Sequence, residues 1–310
     1  MENTRAKTTR NSLILLLTAT IWGMAFVSQS KGMDYMHPFT FNGVRSLIGA
    51  AGILVYILIS RKIAGDKAAK LDWKLNVKAG LLCGIFLTIA STLQQFGIKY
   101  TSVGKAGFIT TLYIIFVPMF GIFLKKKVAP VVWAAAGMAA VGMYLLCMTE
   151  SLRLGAGDIM VFLCAIAFAI QIMTVDHYAA SIDGAVVSCI QFTVCGVVCC
   201  IGALIWGQPT FGQIQEGLGA LLYAGVLSCG VGYTLQIVGQ KGLNPTVAAL
   251  IMSLESVIAT ISGWIAYKIG FLNTDQTLTP RQITGCVIVF AAVILVQLPP
   301  EWFRFGKKNA

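Results

Sequence analysis

Residues 93–99 read LQQFGIK and residues 235–241 read LQIVGQK. Leucine, glutamine, glycine and lysine recur in the second stretch at Leu235, Gln236, Gly239 and Lys241, an offset of 142 residues. Self-similarity at a fixed spacing is the mark of a chain built from repeated units. Two further overlays extend it in the same order. Residues 158–196 lie on 12–50 with an offset of 146, which sets Phe168 on Trp22, Gln171 on Ala25, Val187 on Phe41 and Gln191 on Arg45. TGCVIVFAAVILV (284–296) lies on AGMAAVGMYLLCM (136–148) with an offset of 148. The register of the first overlay carries Tyr113 onto Glu255 and Pro118 onto Thr260.

The repeating material is apolar. Of the 310 residues, 57% are hydrophobic and 11% charged, with a mean hydropathy of +0.80, where soluble domains carry about 25% charge. Apolar runs long enough to cross a bilayer as helices recur throughout. They do not alternate polar with apolar as β-barrel spans do. The fold class predicted is all-α integral membrane, with ten transmembrane helices over 11–31, 39–60, 78–98, 105–124, 130–148, 158–176, 185–206, 217–238, 245–266 and 282–298. Residues 1–150 form the first five-helix repeat. Residues 151–310 form the second, with a basic C-terminal tail. Five is odd, so the second copy enters the membrane inverted relative to the first. In secondary transporters such repeats build a binding site near the midplane, where the halves meet.

The net charge of +11 lies mainly between spans. It reads as a topology signal facing anionic lipid, and no nucleic-acid partner is implied. With the N-terminus inside, sixteen Lys and Arg fall on the cytoplasmic side and six outside. The localisation expected is a multi-pass cytoplasmic membrane protein with both termini in the cytoplasm. The first apolar run, 13–27, lacks an A-x-A-like cleavage site and is kept as a helix. The nine cysteines contain no C-x-x-C and the two histidines sit in loops. Neither pattern has metal-ligand spacing, so the cysteines read as packing residues and no metal or other cofactor is implied.

Polar residues inside the spans carry the functional reading. Glu255 stands in LIMSLESVIA (250–259), near the centre of span nine. A charge there costs about 2.5–3.5 kcal/mol on insertion scales. It can offset that cost by facing a wet cavity, pairing with a cation or holding a proton. Substrate binding or proton coupling is the functional reading, and a hydrogen-bonded structural carboxyl is the alternative. Gln94 and Gln236 are repeat mates expected to line the cavity, against plain interhelical hydrogen bonding. Tyr113, the mate of Glu255, and Trp22 are expected at the same cavity, with Tyr233 and Trp264 as weaker candidates. Arg45 and Gln191 are assigned structural or gating roles, Arg45 having a stem long enough to snorkel. Pro118 is expected to kink span four, as a hinge or as a packing bend. Gly80 and Gly84 permit close helix contact, and Trp73 and Trp302 read as interfacial anchors.

No G-x-x-x-x-G-K-[ST], H-E-x-x-H or G-x-S-x-G occurs. ATP-driven pumping and known intramembrane hydrolase chemistry therefore lack their residues, and no enzyme is expected.

The stretches TATIWGMAFVSQ (18–29), HPFTFNGVRSLIGA (37–50) and GKAGFITTLYIIFVPMFGIFLKKKV (104–128) resemble EamA-type proteins of the drug/metabolite transporter superfamily. NPTVAALIMSLESVIATISGWIA (244–266) resembles that family's ninth span, where a Glu-Pro often stands. Here the pair is Glu255-Ser256, and Tyr267-Lys268-Ile269-Gly270 replaces a segment that often ends in glutamate. The resemblance implies two inverted five-helix halves and a cavity lined by spans one, three, four, six, eight and nine. It also implies transport, often export, of small metabolites, frequently amino acids. The partners expected are a small-molecule substrate, the lipid bilayer and protons. Rival readings are a uniporter without ion coupling and a ligand-binding membrane receptor.

Overall fold

Residues 2–65, 71–124, 130–147, 155–273 and 276–297 are described by a computed structural model of the chain. Trp302, the basic C-terminal tail and the lysines at 125–127 lie outside them. Helix starts follow from local chemistry. A side chain at the N-cap takes up backbone N–H groups that have no partner within the helix. Asp72 accepts from Leu75 N and starts α3 (Trp73–Ile98), and Ser102 accepts from Lys105 N and starts α4 (Val103–Thr111). Asp183 accepts from Ala185 N and Val186 N at the start of α8 (Gly184–Gly202). Asn244 does the same for α12 (Pro245–Met252), where Pro245 stands in the first turn as it does in α2 (Pro38–Ala64).

The remaining helices are α1 (Glu2–Gly32), α5 (Tyr113–Phe123), α6 (Pro130–Cys147), α7 (Ala156–Tyr178), α9 (Phe211–Glu216), α10 (Leu218–Leu222), α11 (Tyr233–Gln240), α13 (Glu255–Lys268) and α14 (Pro280–Gln297). No strand occurs among the described residues. Among the described residues eight stretches are long and apolar enough to cross a membrane, and two further apolar helices, Pro130–Gly142 and Pro280–Leu295, are shorter. The protein is thus an all-helical, multi-pass membrane protein.

The principal helix pairs are α2 with α8, α3 with α7, α6 with α14, α3 with α8, and α1 with α13. Exchanging each helix for its repeat mate maps α2–α8 and α6–α14 onto themselves. It maps α3–α7 onto α11–α1, which also pack together. Close approaches obey the same exchange. A Cβ added at Gly97 would meet Val161, and one added at Gly239 would meet Leu15 at 2.7 Å. Gly239 is Gly97 displaced by 142, and Val161 is Leu15 displaced by 146. Gly80 and Gly84 of α3 face Ile190 and Val194 of α8 at 2.7 and 2.9 Å from such a Cβ.

Two spans are interrupted near their middles. In span four α5 continues through Pro118, and the helix is interrupted six residues earlier, at Leu112. Span nine breaks at the matching place, Ser253–Leu254, with no proline in it. At each break the backbone tightens to an i−3 bond, Leu112 N to Ile109 O and Leu254 N to Ile251 O. Beside each, a hydroxyl occupies an i−3 carbonyl: Thr111 Oγ1 on Phe108 O at 2.9 Å and Ser253 Oγ on Leu250 O at 2.7 Å. Such back-bonding competes with the helical ladder and bends helices. Spans seven and eight are also not uniform α-helix. Span seven ends in a π-helical turn, Ala203–Gly207, and span eight is π-helical over Tyr223–Gly232. The latter holds Gly225, Gly230 and Gly232, and π turns of this kind gather at functional sites.

Among the described residues one buried ion pair links α4 to α7 at the end of the bundle where both start. Lys105 Nζ lies 2.6 Å from Asp158 Oδ2, Thr101 donates to Oδ1 at 2.8 Å and Gly155 N to Oδ2 at 2.9 Å. Asp158 is 4% exposed, so removing its charge strands a half-buried ammonium. Asp158→Asn is expected to lower stability by about 1–3 kcal/mol. Chemical denaturation in detergent measures it, and an unchanged midpoint would mean the pair contributes nothing.

Candidate functional site

Both helix breaks open onto the same space. Tyr113 is the first residue of α5 and Glu255 the first of α13. The two repeat mates meet there, and the Tyr113 hydroxyl donates to Glu255 Oε1 at 3.0 Å. Both residues are buried. They border a narrow central cavity of about 40 Å³ between the helices.

Twenty residues line this cavity, and sixteen of them form eight pairs related by the 142 and 146 offsets. Trp22 pairs with Phe168, Ala25 with Gln171, Phe26 with Ile172 and Ser46 with Phe192. Leu87 pairs with Cys229, Ser91 with Tyr233, Gln94 with Gln236 and Tyr113 with Glu255. The walls are therefore drawn largely from corresponding positions of the overlaid stretches. Their chemistry differs: the acid comes from the second copy and the base, Arg45, from the first.

Every residue expected to bind substrate is at this cavity: Glu255, Tyr113, Gln94, Gln236 and Trp22. Gln94 Nε2 donates to Thr110 Oγ1 at 3.2 Å, and Gln236 Nε2 to Gln171 Oε1 at 3.2 Å. The Trp22 ring lies 4.5 Å from that of Tyr233, and its Nε1 donates to Ser228 O at 3.4 Å. Phe192 meets Tyr233 edge-on at 5.0 Å, which closes an aromatic wall.

Arg45, assigned a structural or gating role from sequence, is also at this cavity. It is 6% exposed and lines the cavity, with its Cζ 5.4 Å from the Phe41 ring. Among the described residues it forms no ion pair with Glu255. Its mate Gln191 is fully buried away from the cavity, with both amide atoms lacking a partner and its backbone against Gly84. Pro118 and Trp264 do not line the cavity.

Several lining groups were not singled out from sequence: Gln29, Ser46, Ser91, Thr110, Phe192, Ser228 and Cys229. Extending the repeat register along whole helices would have found Ser46, Ser91, Phe192 and Cys229, whose mates also line the space. Ser228 has no mate at the cavity and lies in the π-helical stretch, where an α-helical stripe does not place it.

Buried polar atoms nearly always have partners, and those that do not ask for a ligand or water. Around this cavity Gln29 Oε1, Arg45 Nε, Gln171 Nε2 and Gln236 Oε1 are buried without one. The arrangement therefore offers a carboxyl, a guanidinium and unused amide atoms between aromatic walls, which suits a small polar or amphipathic solute.

The family described as the EamA-like transporter family matches residues 10–148 and again 155–298. An uncharacterized transporter of Archaeoglobus fulgidus is 28% identical over 290 residues, covering 92% of this chain and 84% of its own. The uncharacterized transporter YwfM of Bacillus subtilis is 25% identical over 295 residues, covering 94% of each chain. A crystal structure superposes with a TM-score of 0.73 at 16% identity, over 96% of this chain and 99% of that one, which is a likeness of fold.

Proposed function

This chain belongs to the EamA-like transporter family, and from that premise we propose that it is a secondary transporter of a small polar or amphipathic, amino-acid-like metabolite. It has ten membrane helices in two inverted halves, 1–150 and 151–310, and sits in the cytoplasmic membrane with both termini inside. It works by alternating access: the two halves rock about the central cavity and expose it to each side in turn. Glu255 binds the cationic group of the solute or exchanges a proton, and Tyr113 holds its carboxyl in place. Gln94, Gln236 and Trp22 shape the pocket, and Arg45 supplies its positive pole.

The observation that carries this reading is the cavity lined by repeat mates, with Tyr113 and Glu255 bonded where two helices break. Broken helices at a repeat interface are where transporters bind solutes and coupling ions, because free backbone groups gather there. The double family match and the matched helix pairing support the two-half architecture.

The test is flux in proteoliposomes loaded with labelled amino acids and other small zwitterions. Saturable counterflow by the wild type is expected. Binding without flux would replace transport with a receptor. Flux indifferent to an imposed pH gradient would assign facilitated diffusion without ion coupling.

A further inference from the structure

Away from the central cavity, a second concavity lies at the end of the bundle where α2 finishes and α3 and α8 begin. Arg61 and Lys241 line it with Ser60 and Ser181. Tyr56, Thr234 and Val238 border both this concavity and an apolar groove running along α2 toward the middle of the bundle. Gly49, Gly52 and Gly230 form the groove's floor, and no charged residue lines it.

We propose that the two together form a binding site for one anionic phospholipid, with its phosphate between Arg61 and Lys241 and an acyl chain in the groove. The site stands apart from the solute cavity and does not depend on which solute is moved.

Charge favours this occupant. The two acids at the concavity are engaged as helix caps. Asp72 accepts from Leu75 N at 3.0 Å, and Asp183 accepts from Ala185 N and Val186 N at 3.0 and 3.2 Å. The two bases are not so engaged. Lys241 Nζ donates once, to Ile182 O at 3.2 Å, and keeps two further protons for a ligand. The half-buried Arg61 guanidinium has no side-chain partner among the described residues. Exposed Lys62, Lys74 and Lys78 stand near the same ends of α2 and α3 and add to the positive field. Basic pockets between membrane helices recognise anionic headgroups in this way.

Dimensions agree. Gly49 to Arg61 is twelve residues of helix, about 18 Å of rise. Half of the hydrocarbon core is about 15 Å. With Arg61 at headgroup level, the groove floor reaches the bilayer centre. The adjoining face of α2 presents exposed Leu54, Val55 and Tyr56 to lipid. The groove is open beside Gly52: a Cβ there meets nothing within 4 Å.

Delipidated full-length protein in detergent, titrated with phosphatidylglycerol or phosphatidylcholine, can be read by native mass spectrometry. The wild type is expected to retain a single phosphatidylglycerol in preference to phosphatidylcholine. Arg61→Gln combined with Lys241→Gln is expected to weaken phosphatidylglycerol binding roughly thirtyfold. Gly52→Leu keeps both bases and fills the groove, and it is expected to lose the lipid as well. Inorganic phosphate is expected not to compete. Equal affinity for the two lipids, retention of phosphatidylglycerol by a folded form of either variant, or displacement by inorganic phosphate would overturn the site. If the charge variant does not fold, Gly52→Leu decides alone.

Discussion

Glu255→Gln is expected to lose most solute flux, by tenfold or more, while keeping the wild-type fold. A glutamine carbonyl can still accept the Tyr113 hydroxyl, which now sits 3.0 Å from Glu255 Oε1. Shape and hydrogen bonding therefore survive, and what disappears is the charge and the exchangeable proton. A hydrogen bond to a charged group contributes about 1.5–3 kcal/mol, equivalent to roughly ten- to hundredfold in binding. Tyr113→Phe removes only the positioning bond and is expected to cost less than Glu255→Gln. If the two act on one event, the double variant is no worse than Glu255→Gln alone. The pH profile separates the two roles of the carboxyl. Residual flux in Glu255→Gln that no longer responds to pH assigns proton exchange to Glu255. Reduced flux with an unaltered profile leaves Glu255 as a solute ligand. A variant with both the wild-type rate and the wild-type profile would remove Glu255 from the mechanism altogether.

Gly23→Val should have the largest effect on packing. Gly23 lies on α1, where even a single added carbon would sit 2.6 Å from Ile258 Cβ and 2.7 Å from the backbone oxygen of Glu255. The second neighbour is backbone and cannot rotate away, so α1 and α13 have to separate. Overpacking of this kind costs about 1–3 kcal/mol, and valine adds two further carbons to it. The displaced residue is Glu255 itself, so flux is expected to fall together with the melting temperature. Gly137→Ala is the control, since a Cβ at Gly137 meets nothing within 4 Å. Its melting temperature is expected to stay level or to rise. Equal melting temperatures for the two variants would show that the α1–α13 contact does not limit stability.

The placement of the candidate site was partly legible because the repeat is a one-dimensional property. Overlaying LQIVGQK on LQQFGIK set Tyr113 on Glu255 before any distance was known, and the two side chains meet. The helix breaks were not legible, because proline is the loudest local signal in span four and neither break falls on one. Thr111 and Ser253 were the informative residues: both are hydroxyl-bearing, both precede a break, and they are repeat mates. Arg45 and Gln191 show where sequence reading stops. They occupy equivalent positions, yet one reaches the cavity and the other is sealed against Gly84.

By itself, then, the sequence determined the membrane class, the course of the apolar helices and the register between the two copies. Hydropathy is a sum over neighbouring residues, and an offset is a count along the chain, so neither requires knowledge of the third dimension. Only the tertiary structure decided where the helices break, that Arg45 lines the cavity, and that a basic concavity continues into an apolar groove beside α2. These depend on which backbones approach closely, through glycines such as Gly23, Gly84 and Gly97, and on the packing that brings Ser228 of the π-helical stretch to the cavity. Both are contacts between residues far apart in sequence, set by packing across helices rather than by the composition of any one of them.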